Sequence, residues 1–219
     1  MTIIFDEEYI CPLCGKTYES PTIGSSSYGY LDSEFRMHSF GLNPLRFSLH
    51  ICPYCKYPTK NPYEELTNEQ KTRIKKILEN KIGVIRVDKE LLYKFLVYAQ
   101  LTKELGYPNY AVADAYLTAA WVADDLRSSE RKNLRKHTLD YFVKSLSDDV
   151  TLTKKKIQVI TYIIGELYRR LGEFEKAIEW FQKVKTRSKK FQRLIERQKT
   201  LALQKNSRWR YLEDDEKPL

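Results

Sequence analysis

Residues 164–181 read Ile-Gly-Glu-Leu-Tyr-Arg-Arg-Leu-Gly-Glu-Phe-Glu-Lys-Ala-Ile-Glu-Trp-Phe. Two amphipathic helices broken at Gly172 account for this pattern. Ile160, Ile163, Ile164, Leu167 and Leu171 recur at three- and four-residue steps, one continuous helical stripe. Ala177, Ile178, Phe181 and Val184 give the next helix a matching stripe. Small Gly165 and Ala177 let two such helices approach, while Tyr168 and Phe181 fill the space between them. The spacing follows most of a tetratricopeptide unit, with Thr161 in the usual Trp slot and Lys189 in the closing Pro slot.

Upstream, Tyr98-Ala-Gln-Leu-Thr-Lys-Glu-Leu-Gly106 echoes Ile164–Gly172 at an offset of 66 residues. Two units of about 34 residues would give nearly that offset. Three helices fit the interval instead of four, so a regular solenoid is not expected. Helices are expected near 68–82, 89–105, 109–127, 129–146, 152–171, 174–185 and 187–207. Thr67-Asn-Glu-Gln70 is a capping box, Gly83, Gly106 and Gly172 suit helix C-caps, and Asp88 and Ser128 suit N-caps. The Ala-rich run Ala111–Trp121 reads as close-packed core, with Trp121 as an anchor.

Residues 1–63 differ in character. They hold all four cysteines and six of the eight prolines, with no helical period. Leu45, Phe47, Leu49 and Ile51 alternate with polar residues, which predicts a half-buried strand running into Cys52. Ser20–Gly29 is small and polar and reads as a loop between strands. The expected fold class is therefore α+β, predominantly α: a small β-rich zinc-ribbon-like module followed by tetratricopeptide-like antiparallel helices. The expected boundaries are a module over 1–63, a connecting helix and linker over 64–88, a helical domain over 89–210, and an acidic, disordered tail over 211–219.

Cys11-Pro-Leu-Cys14-Gly15 and Cys52-Pro-Tyr-Cys55 are two Cys-x-x-Cys turns. A two-residue spacer lets both thiolates of one turn reach one cation, and two turns complete a tetrahedron of sulfur. Gly15 suits the tight bend of such a turn. The expectation is one structural Zn2+ held by Cys11, Cys14, Cys52 and Cys55. His38 and His50 could replace a ligand, but four cysteines suffice. Cys52-Pro-Tyr-Cys55 is also spelled like a glutaredoxin active site. That chemistry needs a helix starting at the first Cys, and Pro58 and Pro62 forbid one.

Charge is concentrated. The net charge is +9, yet residues 183–210 carry eleven Lys or Arg against Glu196 alone. Residues 1–182 are close to neutral. The segment reads first as a capping helix with a solvated outer face. Its alternative is a surface for nucleic acid or an acidic partner through Lys185, Arg187, Lys189, Lys190, Arg193 and Arg197, with Trp209 and Tyr211 available for stacking. On the helix 152–171, Tyr162, Glu166, Arg169 and Arg170 form the face that a repeat would turn toward a groove, suited to an acidic segment or a carboxylate.

Asp6, Glu7 and Glu8 lie where a secretory signal would need Lys or Arg, and no apolar run approaches the roughly 18 residues of a membrane span. A cytoplasmic protein with reduced thiols and no membrane contact is expected. No catalytic constellation, phosphate loop or small-molecule site stands out. A non-enzymatic adaptor or scaffold binding a protein partner is the expected function, with RNA or DNA binding as the alternative.

Together, Cys11-Pro-Leu-Cys14-Gly15, Asn43-Pro44-Leu45, Ile51-Cys-Pro-Tyr-Cys55, Ala119-Ala-Trp121 and the stretch 164–181 resemble an uncharacterised bacterial family, a conserved domain of unknown function. The resemblance runs from about Tyr9 to Val184. It implies a zinc-ribbon-like head, tetratricopeptide-like helices and a bacterial, cytoplasmic setting, and no activity. Lys56 and Pro58 stand where that family tends to have Gly and Ala, which leaves the ligands intact and bears on the geometry of the second turn.

Overall fold

The computed structural model describes residues 3–82 and 89–212. Among the described residues, three antiparallel strand pairs precede seven α-helices, so the fold is α+β and predominantly α. Strand β1 (Ile3–Ile10) pairs with β2 (Thr17–Ser25), setting Tyr9 opposite Tyr18. Strand β3 (Tyr28–Leu31) pairs with β4 (Met37–Ser39), and β5 (His50–Ile51) with β6 (Pro58–Thr59).

Two expectations in this region are corrected. Ser20–Gly29 is not one loop: β2 runs through Ser25 and β3 starts at Tyr28. Nor is Leu45–Ile51 a continuous strand. Asn43 accepts the Leu45 amide through its side chain at 3.0 Å, and Pro44 at the first position launches a single 3-10 turn over Pro44–Phe47. Pairing is confined to His50–Ile51. Leu49 is nevertheless buried, because Lys94 Nζ donates to the Arg46 and Leu49 carbonyls at 2.7 and 2.8 Å and ties the turn to a helix.

The helices are α1 (Asn68–Ile77), α2 (Glu90–Glu104), α3 (Asn109–Asp125), α4 (Arg131–Asp148), α5 (Lys154–Leu171), α6 (Phe174–Lys183) and α7 (Lys189–Leu203). Both hydrogen bonds of the Thr67–Gln70 capping box form. The end of the expected 68–82 helix is a π-helical turn, Leu78–Ile82. Gly106 and Gly172 take left-handed φ values of +74° and +86°, which ends α2 and α5 without a Cβ clash. Ser128 accepts the Glu130 amide, but α4 starts after Glu130. Gly83 and Asp88 lie outside the described residues.

Each helix from α2 onward packs on its successor. Ala113, Ala119, Ala120 and Ala123 give α3 no side-chain bulk on its buried faces, so α2 and α4 close on it from both sides. Gly165 does the same for α5 and α6: a Cβ there would sit 2.7 Å from the Phe181 ring. Trp121 is half-buried and faces the N-terminal module, an anchor as its position in the Ala-rich run implies.

The 1–63 segment shares its core with the helices beyond it. Tyr9, Cys11, Cys52 and Tyr57 pack with Ile74 and Ile82 from the expected connector and with Val97 and Leu101 of α2. At the other end, the expected disordered tail begins in ordered contact. Tyr211 bridges to Asp32, and the Leu212 amide donates to the Leu31 carbonyl at 2.8 Å with its side chain buried. Residues 213–219 lie outside the described residues. Among the described residues no helix is long and apolar enough to cross a membrane.

Candidate metal centre

The two cysteine turns share one geometry. In the first, the Gly15 amide donates to the Cys11 carbonyl at 2.8 Å and the Cys11 amide to Lys16 at 2.9 Å. In the second, Lys56 donates to Cys52 at 2.9 Å and Cys52 to Tyr57 at 3.0 Å. Gly15 has φ +73° and Lys56 φ +60°. A bend of this kind needs the left-handed region, so Lys56 adopts it despite its Cβ. Tyr57 and Pro58 then lead into β6, and no helix starts at Cys52.

The consequence is a cluster in which the four Sγ atoms lie within 4.8 Å of one another. Cys11 and Cys55 are 3.6 Å apart, and Cys14 and Cys52 are 3.7 Å apart. A tetrahedral ion bound at about 2.3 Å holds its sulfurs about 3.8 Å apart. The donor set therefore fits, and the cluster could hold a metal ion. The turns also aim amides at sulfur. A hydrogen bond from the Cys55 thiol, with the Cys14 and Leu13 amides, draws the Cys11 thiol down to about 5. Burial pushes Cys52 up, opposed by the Cys55 and Tyr54 amides. Both histidines are engaged elsewhere: His50 Nδ1 is 3.0 Å from Ser20 Oγ, and His38 Nε2 is 2.9 Å from the Asp32 carboxylate.

The expected groove on α5 is not open. Tyr162, Glu166 and Arg169 are fully buried and Arg170 largely so. The chain's own β3–β4 loop and the segment after α7 fill that face. The Tyr162 hydroxyl donates to the Ser33 carbonyl at 3.0 Å, and Ser33 Oγ donates to Glu166 at 2.6 Å. Glu166 and Arg169 form a two-point ion pair at 2.8 and 2.6 Å. The remaining Arg169 nitrogen donates to the carbonyls of Asn206 and Arg208. An arginine so satisfied offers nothing to another chain.

The same loop carries a site that sequence reading missed. Glu34 is buried, takes two bonds from Arg135 at 2.8 and 2.9 Å, and accepts from Trp121 Nε1 at 2.8 Å. Arg135 also bonds Asp124, Arg170 reaches both Glu34 and Asp124, and Arg36 pairs with Asp125 at 2.6 Å. Burial raises the Glu34 carboxyl, but Arg135 and Arg170 outweigh it and hold it down to about 2. Asp32 organises the loop from within by accepting the amides of Glu34 and Arg36. Only a run of charged residues in a segment of weak pattern, Asp32-Ser-Glu-Phe-Arg36, hinted at it.

Lys185, Arg187, Lys189, Lys190 and Arg193 are exposed along the α6–α7 connection and the start of α7, and Arg197 is half-buried. The cysteines and these cations are on separate elements; nothing joins them into one site. Trp209 stacks on His38 and Tyr211 meets Tyr30 edge-on, and each keeps 41% exposure.

No curated protein and no solved structure matches this chain. A family model described as "Uncharacterized protein conserved in bacteria (DUF2225)" matches residues 4–204, from the first strand through the last helix, and the chain belongs to that family.

Proposed function

We propose that this protein is a non-enzymatic zinc-binding adaptor, in which one Zn2+ on Cys11, Cys14, Cys52 and Cys55 staples the N-terminal module. The observation that carries the reading is the closed set of four sulfurs. Four thiolates leave a tetrahedral ion no position for water or substrate, so the ion supports structure and not turnover. Tetratricopeptide-like packing of α5 on α6 agrees with a scaffold. With the α5 face filled by the chain itself, the partner surface moves to Lys185, Arg187, Lys189, Lys190 and Arg193, and its partner is an acidic segment of another protein. Lys189 and Lys190 sit in the first turn of α7, where the helix dipole disfavours cations. Helix stability does not explain them; an acidic partner does.

Nucleic-acid binding is the second reading, favoured by Trp209 and Tyr211 beside Arg208 and Arg210. One experiment separates the two. Capture of partners from a bacterial lysate, with and without nuclease, is compared for the wild type and a Lys185→Glu, Lys189→Glu, Lys190→Glu variant. The adaptor reading expects nuclease-resistant capture that the variant loses. Capture abolished by nuclease, with affinity for RNA or DNA falling steeply with salt, replaces it by the second. Metal analysis showing substoichiometric zinc, or a cobalt spectrum without four sulfurs, overturns the zinc assignment.

A further inference from the structure

A cavity of about 670 Å³ opens where the N-terminal module meets α2, α3, α4 and α5. Its size lies in the range that encloses small organic ligands, and such cavities favour junctions of this kind. Its deep wall is apolar: Leu117 and Trp121 of α3, Phe142 of α4 and Ile160 of α5, faced by Phe35 from the β3–β4 loop. Glu34 also reaches it, but that charge is already neutralised by Arg135 and Arg170, so it does not repel an anion there.

Two cations line the cavity from different parts of the chain. Lys60 follows β6 and lies over the Tyr98 ring at 5.1 Å; Lys156 lies over the Tyr110 ring at 3.7 Å. Among the described residues neither lysine has a carboxylate partner. Lys156 belongs to the run Lys154-Lys155-Lys156 in the first turn of α5, which contains no acidic residue. Cations at that end oppose the helix dipole, whereas an anion there is favoured by dipole and lysine together. The third charged group is Asp114, whose carboxyl has no hydrogen bond among the described residues. Its carboxyl is raised by burial against the pull of Lys60 and Lys156, so crowding, not pairing, sets its state.

We infer that this cavity is a binding site for a small organic anion, an apolar aromatic or aliphatic body bearing one carboxylate or sulfonate. The body lies against Trp121, Phe142 and Phe35, and the acid group is held between Lys60 and Lys156. Asp114 sets the size and charge limit: it disfavours a second negative group and can receive a hydroxyl or amine of the ligand. A neutral molecule of the same shape gains the walls but not the lysines. A cation gains Asp114 at the expense of both lysines.

The test uses the full zinc-loaded chain and three isosteric probes, 2-naphthoate, 2-naphthol and 2-naphthylammonium, by calorimetric titration. The expected order is naphthoate tightest, by about tenfold over naphthol, with naphthylammonium weakest. Lys60→Gln with Lys156→Gln should erase the naphthoate advantage and leave naphthol unchanged. Both lysines are exposed, so the variant should fold, which its melting curve verifies. Asp114→Asn should tighten naphthoate several-fold. Ala115→Phe, which fills the cavity, should remove all three. Equal binding of acid and alcohol, a naphthoate affinity indifferent to the lysine pair, or no binding of any probe overturns the inference.

Discussion

Beneath the cysteines the core is tyrosine and sulfur: Tyr9, Tyr18 and Tyr57 around Cys11 and Cys52. Across α3 and α5 it is alanine, leucine and isoleucine at near-zero exposure. The first region has two-stranded pairs with Ile3, Phe5 and Ile10 left exposed, too little apolar burial to hold itself. The second closes mainly by side-chain fit. Where they meet, packing is joined by a third device. A loop of the first region is bolted into the second by buried ion pairs, with Glu34 at the centre. A cysteine cluster, packing and buried ion pairs thus hold different parts of one chain, and each can be removed separately.

On the proposed zinc reading, breaking the cysteine cluster should have the largest effect. Structural zinc in small modules supplies an apparent 10–16 kcal/mol or so of folding free energy. Cys52→Ser, or chelation, should strip zinc and expose the amides of residues 3–59 to hydrogen exchange, while the amides of α3–α5 stay protected. Equal protection in both regions would dissolve the contrast.

Next is the bolt. Arg135→Met leaves Glu34 charged and under-paired in the interior and should cost about 3–5 kcal/mol in urea unfolding. Glu34→Leu combined with Arg135→Met should recover much of that loss, since replacing both members removes the stranded charge. A related prediction concerns acid titration. Glu34 is depressed to about 2 when folded, below its unfolded value near 4.3. Its contribution is therefore full above about pH 4.3 and lost as pH falls toward 2, worth about 3 kcal/mol. Glu34→Gln should flatten that part of the stability–pH curve.

Smaller effects sharpen each side. Gly165→Ala puts a methyl 2.7 Å from Phe181 and should lower stability by about 1–3 kcal/mol in thermal unfolding, against the usual helix preference for Ala. In the metal region, Lys56→Gly relieves a left-handed residue and should raise the unfolding midpoint by about 1 kcal/mol equivalent, while Gly15→Ala should lower it similarly.

The same division explains what the sequence disclosed. All seven helices were legible, because Ile160, Ile163, Ile164 and Leu167 face a core and so must recur at helical spacing. The cysteine cluster was legible because two Cys-x-x-Cys turns have the spacing that lets four sulfurs converge. Strands β1 and β2 were not, since both their faces are largely exposed and backbone pairing selects them without any side-chain alternation. Leu45–Ile51 has the alternation but not the strand, because Asn43 and Pro44 begin a turn first. Glu34 and Arg135 were invisible for another reason: partners so distant in sequence leave no periodic trace. The Arg169 face reads as a groove in sequence because a charged helix stripe ordinarily means solvent.

The contact of Arg169 with the carbonyls of Asn206 and Arg208 has a consequence in time. Those two carbonyls are synthesised after α7, so during translation the Arg169 guanidinium has only Glu166 to pair with until residues 206–208 emerge. The cysteine cluster and the Glu34–Arg135 pair can form before then, whereas this part of the α5 face is closed only by the segment after α7. A nascent chain stalled before residue 206 should leave the Arg169 side of α5 more open to proteolysis than the released chain does.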